Sequence, residues 1–186
     1  MIILETERLV LRAFVPDDAP FILDLLNQPS FLRFIGDKGV RTLEDARVYL
    51  RQGPMDSYAT NGFGLYLVAL KEGMIPIGMC GLVKREALPH PDLGFAFLPA
   101  YWSRGYATES ARAVVDYADA GLNLDRILAV ASIDNHDSMA LLGRIGFRSD
   151  GTVRLAENEP DLVLFVRASL AGATSARRGD QPRERA

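Results

Sequence analysis

The sequence predicts a mixed α/β domain of the α+β kind, one sheet with helices beside it rather than a regular doubly wound fold. Three observations carry this. Strand-like runs in the first half are joined as hairpins, at 64–70 and 77–84 across Lys71-Glu72-Gly73. The second half alternates strand, helix, strand, helix, strand. At 186 residues, 48% apolar and 24% charged, the chain suits one well-buried soluble domain and is short for two.

The elements follow in order. Residues 8–14 alternate polar and apolar, the period of a half-buried strand. Asp17 or Asp18 can cap a helix carrying Phe21, Ile22, Leu25 and Leu26, with Pro29 as its boundary. Thr42 and Asp45 form a capping-box pattern that opens a second helix towards Leu50, which Gly53-Pro54 should end. After the hairpin comes a loop with Pro89 and Pro91, then a strand at 92–98. A helix follows, with Ala107, Ala111, Val114, Val115 and Ala118 on one face and Gly121 as a left-handed stop. Residues 127–132 read as a short buried strand, 135–145 as a helix ended by Gly146, and 162–166 as the last strand. Phe147 should fold back over the end of that helix. Residues 1–170 therefore form a single domain. From 171 to 186 no large apolar residue occurs, so a flexible tail is expected there.

Bulk properties narrow the function. A net charge of −3 gives no basic footprint, so no nucleic-acid partner is expected. The one cysteine, Cys80, lies in an apolar run and reads as a core residue, which leaves no internal disulfide and no cysteine-based zinc cluster. The start has no basic, then long apolar, signal pattern, and no stretch nears the roughly 20 apolar residues of a membrane span. A cytoplasmic protein without membrane contact is the expectation.

Two segments carry chemistry. Trp102-Ser103-Arg104-Gly105-Tyr106-Ala107-Thr108-Glu109 joins a strand to a helix start. Its small residues leave backbone N–H groups open towards an anion, and Arg104 offers a second charge contact. The same residues also serve as a plain tight turn in which Gly105 supplies unusual backbone angles. A Walker-type loop and a dinucleotide fingerprint both fail, because Gly-Lys-Ser/Thr and the three spaced glycines are absent. The second segment runs from Asp134 to Phe147. Asn135 suits an N-cap, with Ser138 three residues on. Asp134, His136 and Asp137 match no metal-ligand spacing, so no metal is expected.

Taken together and in this order, the two segments resemble the GNAT acetyltransferase superfamily. Glu5-Thr6-Glu7-Arg8-Leu9-Val10-Leu11-Arg12, Gly105-Tyr106-Ala107-Thr108-Glu109 and Asn135-x-x-Ser138 with Gly146-Phe147 resemble its RimJ/RimL-like branch of ribosomal-protein N-terminal acetyltransferases. The resemblance spans residues 4–168. It implies a central mixed, mostly antiparallel sheet with flanking helices, in which the parallel strands 92–98 and 127–132 splay apart. It implies acetyl-CoA as cofactor. The diphosphate would lie on Ser103, Arg104, Gly105, Tyr106, Ala107 and Thr108, and the pantetheine arm beside a strand ending in Phe97 and Leu98. Asn135 would contact the arm from the other side.

Two departures from the family pattern stand out: Trp102 takes the loop's first place, and Ser103 stands where glycine is frequent. The tyrosine proton donor of many members is replaced by Leu142, so Ser138 is the candidate donor to the departing thiolate. Asp92 is the first candidate base and Glu109 the second. Each also has a plain reading, as a solvated strand-end carboxylate and as a first-turn acid favoured by the helix dipole. Direct attack by a primary amine, either a small molecule or a peptide N-terminus, needs no covalent enzyme intermediate. Segment 28–58 and the acidic loop 155–160 would choose the acceptor. The alternative is a non-catalytic CoA-binding module. A homodimer through the last strands is a plausible assembly.

Overall fold

A computed structural model describes residues 1–122 and 124–168, so the expected tail at 171–186 lies outside the described residues. Apolar alternation assembles a sheet of eight strands in the order β1 (Ile2–Glu5), β2 (Leu9–Arg12), β3 (Leu65–Leu70), β4 (Pro76–Val83), β5 (Asp92–Phe97), β6 (Arg126–Ser132), β8 (Leu162–Ala168), β7 (Arg148–Val153). Every neighbouring pair is antiparallel except β5 and β6. That pair is parallel and touches in register only at Asp92 opposite Leu128. Beyond this point the two strands part, as the resemblance implied.

Helices cover both faces. Leu93 and Phe97 of β5 and Ile127, Ala129 and Ala131 of β6 pack with Ala111, Val114, Val115 and Ala118 of α5 (Tyr106–Gly121) and Leu141 and Leu142 of α6 (His136–Arg144). On the other face Leu67, Ala69 and Met79 pack under Ile22, Leu25 and Leu26 of α1 (Ala19–Leu26), Phe31 of α2 (Pro29–Phe34) and Leu50 of α3 (Leu43–Leu50). Each fully buried leucine or isoleucine contributes about 1.5–3 kcal/mol by leaving water. The period of two along β5 sends Asp92, Gly94 and Ala96 to the α1–α3 face and Leu93 and Phe97 to the α5 face.

The capping box forms: Asp45 N–H donates to Thr42 Oγ1 at 3.1 Å, and Thr42 N–H to Asp45 Oδ2 at 2.9 Å. Gly146, at φ +95°, ends α6, and Phe147 N–H returns to the Leu142 carbonyl at 3.0 Å.

Four expectations are corrected. Pro29 does not merely bound a helix; it opens α2 at a first-turn position where its missing N–H costs nothing. Gly53-Pro54 does not end α3, because a π-turn at Arg51–Met55 absorbs Pro54 and the chain continues into α4 (Asp56–Asn61). Asp18 makes no side-chain cap on α1; its carboxylate takes the Val15 N–H at 2.9 Å and both Arg12 Nη groups at 2.7 Å. Gly121 stays inside α5, which ends on right-handed Leu122. Strands β1 and β7 lie where the sequence showed no clear alternation, and five of the six β7 residues are exposed.

Candidate active site

Where β5 and β6 part, a cavity of about 1520 Å³ opens between the starts of α5 and α6 and the α1–α2 segment. Its walls include Phe95, Ala96 and Phe97 on β5, Ser103 and Gly105 to Glu109 on the loop and α5, Asn135 and Ser138 on α6, and Phe31, Arg33 and Phe34 on α2. Thus Ser103, Gly105, Tyr106, Ala107, Thr108, Phe97, Asn135, Ser138 and Glu109 come together as the sequence suggested. Asp92, Leu98 and Arg104 do not line the cavity. Leu98 packs on the α1–α3 side with its N–H on the Ile77 carbonyl, and Arg104 turns its guanidinium over the Tyr101 ring at 5.8 Å.

The phosphate-loop geometry is a backbone device. Gly105 holds φ +81° as N-cap of α5, and no side chain caps the helix, so its first N–H groups stay open. Ser103 holds φ +58°, the left-handed region, which explains why glycine is frequent at that place. Trp102 donates its indole N–H to the Phe97 carbonyl at 2.8 Å and so pins the loop to the end of β5. On the opposite wall the Asn135 side chain accepts the Ser138 N–H at 3.2 Å. Among the described residues the Ser138 hydroxyl has no hydrogen-bond partner, which leaves it able to donate into the cavity.

The two candidate bases differ sharply. Glu109 accepts from Thr6 Oγ1 at 2.6 Å, the Arg8 N–H at 2.9 Å and Arg8 Nε at 2.7 Å. Burial acts to raise its pKa, but these hydrogen bonds and the Arg8 charge outweigh it and the net shift is down. A carboxylate so engaged is a poor proton acceptor. Asp92 is 1% exposed, and Arg85 Nε donates to its Oδ1 at 2.9 Å. Its Oδ2 is buried without a partner among the described residues. Burial raises its pKa, and the Arg85 charge and hydrogen bond pull it back only in part. Asp92 is therefore no solvated strand-end acid, and it stands at the closed end of the gap.

Other placements were not legible in the sequence. Arg33, Arg112 and Arg144 line the cavity as its cations. Arg112 lies off the core face of α5, and its Nη2 donates to the Arg144 carbonyl at the end of α6 at 3.5 Å. Arg33 Nη2 meets Asp134 Oδ2 at 2.8 Å across the mouth, between α2 and the loop before α6. The acidic loop 155–160 does not line the cavity, and neighbouring Asp161 takes Arg154 Nε at 2.9 Å. Cys80 is fully buried, and burial pushes its thiol up to about 12, so it is no nucleophile. Among the described residues no cluster of three or more His, Cys, Asp or Glu could hold a metal ion, and no helix is long and apolar enough to cross a membrane.

A parallel pair that opens beside an uncapped helix N-terminus, on this sheet order, is the arrangement that the resemblance to the acetyltransferases implied. Residues 8–148 match the family described as acetyltransferase (GNAT) domain, and the chain belongs to that family. It is 30% identical over 154 residues to the uncharacterized N-acetyltransferase YoaA of Bacillus subtilis (strain 168), covering 82% of this chain and 86% of that one. The crystal structure of the acetyltransferase from Agrobacterium tumefaciens str. C58 is 27% identical with a TM-score of 0.76, over 88% of this chain and 92% of that one. RimL, a ribosomal L7/L12 alpha-N-protein acetyltransferase solved in complex with coenzyme A, shares the fold at 18% identity and a TM-score of 0.73, over 92% of this chain and 99% of that one.

Proposed function

We propose that this acetyltransferase uses acetyl-CoA and acetylates a primary amine, with a peptide N-terminus as the favoured acceptor. The observation that carries the reading is the gap between β5 and β6, which meet only at Asp92 and Leu128 and open into the cavity. Three features fit the cofactor. The α5 start leaves N–H groups uncapped for a diphosphate, the β5 edge beyond Asp92 has no strand partner on the β6 side among the described residues, and Asn135 faces the gap from the far wall. The cavity also exceeds the roughly 300–1,000 Å³ typical of a single-ligand site, so cofactor and acceptor fit together. RimL, which acts on a protein N-terminus, shares the fold, and that supports the peptide acceptor.

Acetyl-CoA, when bound, supplies the acetyl group as an activated thioester. Residues 103–108 hold the diphosphate through backbone N–H groups, and Asn135 orients the arm. Ser138 would offer a hydrogen bond from its free hydroxyl to the sulfur as the C–S bond breaks, and the second proton lost by the attacking nitrogen would restore the thiol. Asp92, three residues before the lining residue Phe95 on β5, would take the ammonium proton by way of intervening water. Its raised pKa suits that work, whereas Glu109, already tied to Thr6 and Arg8, serves structure.

A thiol-release assay across peptides and small amines, with mass spectrometry of the products, tests the reading. N-terminally acetylated peptide is the expected product. CoA formation only with small amines would overturn the acceptor, and no binding of CoA by calorimetry would overturn the whole reading.

A further inference from the structure

The first turn of α5 poses an electrostatic problem. Glu109 follows directly on the N–H groups proposed to hold a diphosphate, and an uncompensated carboxylate there repels that anion. The N-terminal segment answers it from 101 residues away. Arg8 Nη2 lies 2.6 Å from Glu109 Oε2, Arg8 Nε donates to the same oxygen at 2.7 Å, and the Arg8 N–H and Thr6 Oγ1 both donate to Oε1.

The guanidinium does more than neutralise. Arg8 Nη1 donates to the Arg104 carbonyl at 2.9 Å, so that oxygen is bonded to a group outside the cavity wall rather than facing an anion within it. The same guanidinium lies 4.6 Å over the Tyr106 ring. A Cβ built on Gly105 would come within 3.3 Å of Arg8 Nη2, so the close fit extends to the glycine between them. One side chain thus engages the Arg104 carbonyl, the Tyr106 ring and the Glu109 carboxylate together.

We propose that Arg8 is the positioning residue of the phosphate loop: it cancels the Glu109 charge and fixes residues 104–106 with their N–H groups towards the cofactor. Thr6 supports it by holding the other carboxylate oxygen. The inference rests on the CoA reading above. It also gives the run Thr6-x-Arg8-Leu9 a physical role, coupling the β1–β2 turn to a loop about a hundred residues later.

Titration calorimetry tests it with two probes, CoA and acetyl-pantetheine, which lacks the diphosphate. Arg8→Met should weaken CoA about tenfold and leave acetyl-pantetheine unchanged. Glu109→Gln alone should stay within about threefold of wild type, since glutamine can still accept from Thr6 and the Arg8 N–H. The double variant Arg8→Met/Glu109→Gln should regain about threefold, the share owed to the unpaired carboxylate, and stay weaker than wild type because residues 104–106 are still unfixed. Arg8→Lys, which keeps the charge but loses the fork, should weaken CoA about threefold and stands in where Arg8→Met does not fold. A double variant as weak as Arg8→Met overturns the charge role of Arg8, and an Arg8→Lys protein with full affinity overturns its positioning role. Wild-type protein that fails to bind CoA overturns the cofactor reading instead, so the two failures are distinct.

Discussion

The two walls of the cavity are built by opposite means. The α5 wall relies on backbone: an uncapped helix start, two left-handed residues, and a carboxylate at 109 secured by four donor contacts from a distant strand turn. The α2 wall relies on side chains from a short helix, tied across the mouth by one exposed ion pair, Arg33 with Asp134. Backbone N–H groups survive every substitution but proline, so the first wall suits a ligand that does not vary. Side chains on a six-residue helix vary at low cost, so the second suits a changeable acceptor.

The chemistry between the walls gives the largest effect. Asp92→Asn should lower kcat by about 10²–10⁴-fold, the usual contribution of a general base. The wild-type pH profile sharpens the point. A base must be ionised to work, and burial places Asp92 above the ordinary carboxylate range near 3.9, with Arg85 pulling it back in part. Activity should therefore rise with pH through a limb displaced upward from that range. Arg85→Gln removes the counter-charge and should move this limb higher still, while Asp92→Asn should abolish it. A normal limb in Asp92→Asn would return the role to another group.

Gly105→Val tests the backbone wall. A β-branched residue at φ +81° is strained by about 1–3 kcal/mol, and its Cβ meets Arg8 Nη2 at 3.3 Å. CoA affinity should fall about 10–100-fold, since 1.4 kcal/mol is a factor of ten. The acceptor KM should hardly move. If calorimetry instead showed unchanged CoA affinity, the loop would be a turn and nothing more.

What the sequence made legible follows the same division. Gly105, the small residues around it and the Asn135 N-cap are local backbone signals, and local rules read them. Thr42 with Asp45 was legible for the same reason. The Arg8–Glu109 contact was not, because no local rule pairs side chains 101 residues apart. Arg104 was assigned to the ligand by its position, yet positive φ on either side, at Ser103 and Gly105, turns the chain so that its side chain lies over Tyr101. Asp92 was read as a base or as a solvated strand end. Its burial depends on the strand's place inside the sheet and on which face alternates inward, neither of which a single strand reveals. Segment 28–58 was assigned to acceptor choice, but the helix α2 within it was not foreseen, because Pro29 marks a helix start as readily as a helix stop.

The mouth pair should have a smaller effect. Arg33 and Asp134 are 65% and 46% exposed, and exposed pairs contribute little in water. Arg33→Ala or Asp134→Asn should speed CoA release about two- to fivefold in stopped-flow measurements, and added salt should reduce the difference from wild type. Equal release rates at low salt would show that the two walls move independently of this pair.

Ser103→Gly is the finest test of a backbone-built wall. Serine at φ +58° carries strain of about 1–2 kcal/mol that glycine does not. Glycine in turn costs about 0.5–1 kcal/mol more conformational entropy on folding. Among the described residues the Ser103 side chain makes no hydrogen bond, so nothing else offsets the relief. The strain term wins narrowly, and the variant should gain about 0.5 kcal/mol, a rise of one or two degrees in Tm by calorimetry. CoA affinity should stay within about twofold, because the N–H of residue 103 remains and only a hydroxyl is lost. A marked loss of affinity would mean that the serine hydroxyl itself binds the cofactor, and the α5 wall would then rely on side chains as the α2 wall does.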